Sequence, residues 1–198
     1  MVKNPLGSWL KRNNTGDRSS DGDTGPTIRA LQGDIASQCV DVVVNAANER
    51  LGDGAGVAGA IHKAAGPGLL RECADRYPDG CPTGEARVTD GHDLPAKWIV
   101  HTVGPVWRGG TNGEPELLAN CYRNSLQAAA EKGALTVAFP AISTGIFHYP
   151  REDAARVAVS TIREFLAQSD HGINEVILVA YDSEQMAIYE RLLETEMD

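Results

Sequence analysis

Residues 32–67 read QGDIASQCVDVVVNAANERLGDGAGVAGAIHKAAGP, and the rest of the chain is organised around them. An apolar run, Val40–Asn45, ends in a polar Asn-Ala-Ala-Asn and passes through a loop with glycines at 52, 54, 56 and 59 into a helical pattern. Glycines remove side chains from such a loop. Its backbone N–H groups are then left beside the positive end of a helix dipole, which suits a phosphate. Ser143-Thr144-Gly145-Ile146-Phe147-His148 repeats the arrangement, after a second short strand and before another helix. Two loops of this kind suggest a clamp on a diphosphate.

The chain has 198 residues, enough for one domain with a real core. Its 42% hydrophobic and 23% charged residues are those of a globular protein. The sequence holds neither a run of about 20 apolar residues nor an N-terminal secretory core, so a cytoplasmic protein is expected. A net charge of −9 disfavours general binding along a nucleic-acid backbone, so an anionic ligand needs a site built locally from backbone. The cysteines (39, 73, 81, 121) form no CxxC pair and have no histidine at metal-ligand spacing. Thiols are expected, with no disulfide frame, metal or cofactor.

Residues 1–26 are rich in Gly, Ser, Asn and Asp and read as a disordered tail; Trp9-Leu10 beside Lys11-Arg12 reads as a stray solvated patch, with a short docking motif as the other reading. Strands are expected at Thr27–Leu31, Val40–Asn45, Glu85–Thr89, Trp98–Val103, Thr136–Pro140 and Glu175–Tyr181. Helical spacing runs from about Ala58 to Arg76, broken into two pieces at Gly66-Pro67. Further helices are expected over Pro115–Glu131, Arg151–Ala167 and Ser183–Glu194, the last capped by Ser183. This alternation indicates an α/β fold with a largely parallel sheet.

Gly54-Ala55-Gly56-Val57-Ala58-Gly59 formally matches GxGxxG. A dinucleotide-binding βαβ unit puts the first glycine at the strand end and an acid about 20 residues on, at the end of the next strand. Here Asn45–Asp53 intervene and the later position falls in a helix and loop, which argues against that fold. A loop whose glycines serve tight turns alone is the other alternative.

With CPTGEARVT (81–89), DLPAKWIVHTVGPVW (93–107), FPAISTGIFHYP (139–150) and a terminal VAYDSE–YERLL pattern, the sequence resembles the macrodomain, an ADP-ribose-binding module. The resemblance runs from about Ile28 to Leu193 and is nearest the MacroD-type branch, associated with O-acetyl-ADP-ribose deacetylation and removal of mono-ADP-ribose from proteins. It implies a three-layer α/β/α domain over 27–198, with a central mixed sheet of about six strands.

The resemblance also implies roles. Asp34 would accept from the adenine amino group with the Ile35 amide beside it; a plain turn aspartate is the other reading. Gly54, Gly56 and Val57 would line one side of the diphosphate, while Ser143, Thr144, Gly145 and Ile146 would give backbone and hydroxyl donors to the other. Phe147 would pack on the distal ribose and Tyr181 would wall the adenine, each against ordinary core packing. Asn48 would hold the distal ribose and a water, and Asn45 would bond loop backbone. His62 and His101 read as satisfied core histidines.

Two positions depart from the family pattern. Ala58 stands where the MacroD-type loop carries its catalytic aspartate, and His148 where the family has glycine. Asp53, a new acid in the same loop, and His148, an ionisable group near the distal ribose where a base with a pKa near 7 is useful, are candidate catalytic replacements; Asp53 merely turning the loop and His148 facing solvent is the other reading. A ligand phosphate taking the water's proton is a third route. The expected partners are ADP-ribose, O-acetyl-ADP-ribose or an ADP-ribosylated protein, with a non-catalytic ADP-ribose reader as the alternative.

Overall fold

The computed structural model describes residues 25–195. The expected tail, with its Trp9-Leu10 motif, lies almost wholly outside them. The elements are β1 (Thr27–Gln32), β2 (Val42–Ala46), α1 (Gly56–Ala65), α2 (Pro67–Arg76), β3 (Ala86–Asp90) and β4 (Trp98–Thr102). There follow α3 (Glu114–Glu131), β5 (Thr136–Pro140), α4 (Arg151–Leu166), β6 (Glu175–Ala180) and α5 (Ser183–Glu194).

The six strands lie in the order β1-β6-β5-β2-β4-β3. All neighbours run parallel except β3, which pairs antiparallel with β4. Alternate residues of the buried strands feed opposite layers, as period-2 side chains require. Val42 and Val44 pack with Leu118, Tyr122, Ile162 and Tyr189 under α3, α4 and α5. Val43 packs with Ile61, Leu69 and Cys73 under α1 and α2. The mixed α/β/α sheet expected from the sequence is the one observed.

Several boundaries differ for local reasons. β2 starts at Val42, not Val40, because the Asp41 carboxylate accepts from the Leu135 and Thr136 amides at 2.9 and 3.2 Å. Residue 41 thereby anchors the entry to β5 instead of extending a strand. The break between α1 and α2, by contrast, falls at Gly66-Pro67 as expected; Gly66 has a left-handed φ of 79°, and an added Cβ there would lie 2.6 Å from Asp93 Oδ2. α5 is capped by Asp182, which accepts from the Gln185 amide at 2.9 Å, and not by Ser183, which is already helical.

β2 and β5 are adjacent and parallel, yet pair only at Val42↔Val137 and Val43↔Ala138. β2 and β4 pair at five positions. The two central strands therefore part toward their C-terminal ends. From β2 the chain builds the sheet on one side (β4, β3), and from β5 on the other (β6). A crevice opens outside the strand ends where connections diverge, the usual place for a ligand in an open α/β sheet.

Candidate functional site

Both glycine loops start at that crevice, one leaving β2 and the other β5. The first is built by Asn48. Its Oδ1 accepts from the amides of Arg50 (3.1 Å) and Gly52 (3.2 Å), while Nδ2 donates to the carbonyls of Gly52 (3.0 Å) and Asp53 (3.3 Å). A carboxamide has two acceptor sites and two donor protons, so these four bonds use them all. Leu51, fully buried at φ 54°, pins the turn. Asp53 Oδ1 accepts from the Gly54 amide at 2.8 Å, and the chain enters α1 at Ala55 with no side chain capping the helix. First-turn N–H groups of an uncapped helix lack intrahelical partners.

The second loop needs left-handed backbone at Ser143 (φ 66°) and His148 (φ 56°). Non-glycine residues rarely take that conformation, and with Leu51 three of the four in the described chain flank the crevice. Ser143 Oγ is buried without a partner against Gly104, where an added Cβ would sit 2.1 Å away. Thr144 Oγ1 donates to the Ala141 carbonyl at 2.9 Å. The Thr144 hydroxyl is thus engaged within its own loop, while Ser143, whose Oγ is unengaged, lines the cleft. The backbone amides of Gly145 and Ile146 have no hydrogen-bond partner among the described residues and remain as donors.

Between the loops runs a cleft in two connected halves that share Gly56, Val57, Ala141 and Gly145. One half, about 390 Å3, is lined by Asp34, Ile35, Thr144, Arg151, Tyr181, Asp182 and Gln185. Tyr181 is 89% exposed and is a wall of this half, not core. Asp34 caps the short 3-10 turn Ile35–Ser37, accepting from the Ala36 amide at 2.9 Å, so the turn reading and the position at the cleft both hold. The other half, about 220 Å3, is lined by Asn48, Gly54, Ala58, Ser143, Ile146 and Phe147. Ala58, 5% exposed, sits in the first turn of α1 at its floor.

The sequence reading missed Arg151 and Asp182. Arg151 Nη1 lies 2.9 Å from both Asp182 oxygens, and the pair closes the far end of the first half. The Gln185 amide, then the Arg151 guanidinium, hold the Asp182 carboxyl below its ordinary pKa. The proline before a helix start marked Arg151 only as a helix residue, with no sign of its partner.

His148 is exposed and lines neither half, because its left-handed backbone follows the turn closed by its own amide on the Gly145 carbonyl. Asp53 lines a third cavity on the other side of Asn48. Asn45 does not bond loop backbone: its Nδ2 meets His101 Nδ1 at 3.1 Å inside the sheet. The other ring nitrogen of His101, Nε2, meets Thr89 Oγ1 at 2.9 Å. Burial, then the charge of His62, depress His101 to a pKa of about 3. His101 is the satisfied core histidine expected. His62 is buried too, but its Nε2 has no partner; burial lowers its pKa and Asp53 partly opposes this.

Glu114 shapes the neighbouring segment. Its buried carboxylate accepts from the amides of Arg108 (2.9 Å), Gly110 (3.3 Å) and Asn112 (2.6 Å). Burial pushes its pKa up, but the N–H groups of Glu114, Asn112 and Arg108 outweigh this and hold it at about 2. The segment so fixed reaches the cleft through Trp107, whose amide donates to the Phe147 carbonyl at 2.9 Å and whose ring lies 4.4 Å from that of Tyr149.

A long cleft, with backbone amides from two sides at its waist and a wider room at each end, fits a ligand with a central diphosphate. No cluster of metal-ligating side chains occurs among the described residues, and no helix there is long and apolar enough to cross a membrane.

Comparison with known proteins agrees with this geometry. The Macro domain family model matches residues 44–158, which contain both loops. The chain is 53% identical over 166 residues to the Macro domain-containing protein CT2219 of Chlorobaculum tepidum, covering 84% of this chain and 95% of that protein. It is 53% identical over 174 residues to the O-acetyl-ADP-ribose deacetylase of Escherichia coli K12, covering 86% and 97%. Among solved structures, the Oceanobacillus iheyensis macrodomain with ADP superposes with a TM-score of 0.83 at 40% identity, over 89% of this chain and 94% of that one. The Trypanosoma brucei macrodomain in complex with ADP-ribose gives a TM-score of 0.77 at 39% identity, over 84% and 68%. With the family model matching residues 44–158 and relatives 53% identical over more than four-fifths of the chain, this chain belongs to the macro domain family.

Proposed function

We propose that the domain, spanning residues 27–198, binds ADP-ribose in the cleft and hydrolyses its esters, either O-acetyl-ADP-ribose or mono-ADP-ribose carried on a protein carboxylate. The observation that carries this reading is the pair of facing loops, with the uncapped start of α1 on one side and the unpartnered amides of Gly145 and Ile146 on the other. Adenine goes to the half lined by Asp34, Ile35 and Tyr181, and the distal ribose to the half lined by Asn48 and Phe147. Names of relatives such as the E. coli deacetylase support the same chemistry. Four free thiols agree with a reducing, cytoplasmic setting.

In ester hydrolysis the oxygen of water bonds to the acyl carbon and the bond to the ribose oxygen breaks. That oxygen takes a proton, and the released acid gives one to solvent. With Ala58 at the floor there is no carboxylate in the first turn of α1. Asp53 is the nearest acid in the loop, and a ligand phosphate at the waist is the other acceptor for the water's proton. Asn48 meets the ribose by exchanging one of its loop bonds, of which the 3.3 Å bond to the Asp53 carbonyl is the longest.

The test is release of ADP-ribose from a carboxylate-linked mono-ADP-ribosylated protein, run beside Ala58→Asp. Turnover by the native chain is the expected result. Tight ADP-ribose binding without turnover, with activity gained in Ala58→Asp, would instead establish a reader built on a hydrolase scaffold.

A further inference from the structure

The cleft does not end at the distal ribose. Beyond Asn48, Gly104 and Phe147, which line both spaces, it opens into a third cavity of about 540 Å3. Resting on the ADP-ribose reading above, we infer that this cavity is the acceptor subsite, taking the modified carboxylate side chain and the peptide segment that carries it.

Position argues first. Adenosine, diphosphate and distal ribose fill the two halves already described, so whatever enters the third cavity lies across the bond to be broken. Size argues next. An acetyl group has three heavy atoms, whereas this depression of about 540 Å3, open to solvent, holds many more and leaves room for a chain to pass out of it. The space therefore suits a chain continuing past the acyl group.

Its lining has the chemistry of such a chain. Val103, Val106 and Phe147 form an apolar wall, and Val106 is 45% exposed. Such a wall receives the methylenes of an aspartate or glutamate arm. Three charged residues complete the lining, and two of them are engaged within the chain. Glu49 accepts from Thr83 Oγ1 at 3.3 Å and Asp53 from the Gly54 amide at 2.8 Å. Arg50 makes no ion pair among the described residues, while its amide is held by Asn48. A guanidinium is a planar fork of donors that matches carboxyl oxygens, and the acyl group becomes a carboxylate once released. Arg50 is thus placed to meet the acyl carbonyl and then the product.

The experiment compares, by calorimetry on the full chain, free ADP-ribose with a peptide bearing ADP-ribose through an uncleavable amide to a glutamate side chain. The conjugate is expected to bind about tenfold tighter than free ADP-ribose. Val106→Trp, which fills the cavity, removes that advantage and leaves free ADP-ribose unchanged. Arg50→Ala reduces the conjugate's affinity about threefold to fivefold, as suits an exposed charge. Equal affinity for conjugate and free ADP-ribose in the native chain, or variants that weaken both ligands alike, would overturn the subsite. Failure to bind either ligand would overturn the ADP-ribose reading itself, and the subsite with it.

Discussion

Gly59→Ala sets two physical effects of opposite sign against each other. Gly59 is an interior residue of α1, where helix propensity alone makes alanine more stable by about 1 kcal/mol. The structure says otherwise. An added Cβ at residue 59 would lie 2.2 Å from the Gly54 carbonyl oxygen and 3.3 Å from its carbon. Contacts under 3.0 Å are essentially never observed, so about 0.8 Å must come from movement of one partner. That partner is loop backbone, which cannot rotate aside as a side chain can. Forcing a methyl into such a contact costs about 2–3 kcal/mol, leaving a net loss of about 1–2 kcal/mol. For a domain of this size that lowers Tm by about 2–8 °C. The displaced residue also lines the cleft half assigned above to the distal ribose, next to the waist, so ADP-ribose affinity falls about tenfold or more. Thermal unfolding and calorimetry on one preparation read both effects. A raised Tm with native affinity would show that the loop yields freely, and would refute the claim that Gly59 exists to let Gly54 approach α1.

Two further perturbations separate the cleft from the core. No heavy atom lies within 4 Å of a Cβ added at Gly145, so Gly145→Glu is expected to fold with native Tm. Its bulk and charge occupy the waist, and ADP-ribose affinity should fall by about 100-fold or more; native affinity by calorimetry would refute the placement of the diphosphate. His101, with its folded pKa depressed to about 3, remains neutral while the unfolded chain takes up a proton below about 6.5. Stability should therefore decline as pH falls from about 6.5 toward 3, at up to about 1.4 kcal/mol per pH unit from this residue. His101→Gln should remove that part of the slope in Tm measured against pH, and parallel profiles for the two proteins would contradict it.

The fold was legible because its strands are short apolar runs between helical patterns, and glycine or proline marks most of the breaks. Gly66-Pro67 divided α1 from α2 as read, and the last helix kept its bounds at Ser183–Glu194. What failed to show were contacts between residues far apart in sequence. Asp41 shortens β2 because it bonds the entry to β5, 94 and 95 residues away. Asp182 caps α5 while also pairing with Arg151, 31 residues before it. The cleft-lining stretches were legible as glycine loops, but the direction of each side chain was not. Ser143 turned against Gly104 and Asn48 turned into its own loop, because left-handed backbone and local hydrogen bonds set those directions and no residue spacing encodes them.

The parting of β2 from β5 after two paired positions has a consequence for how such a domain diversifies. The gap a diphosphate must span is fixed by the sheet, deep in a core that tolerates little change, and not by the lengths of the loops above it. Residues above the strand ends, Ala58 in the first turn of α1 and His148 in the second loop among them, are thereby released from any duty in holding the gap open. Their identities can drift, exchanging one reactivity for another or for none, while the same nucleotide continues to fit. Affinity and chemistry are thus inherited separately: the first rides on the backbone of two strands, the second on a few replaceable side chains.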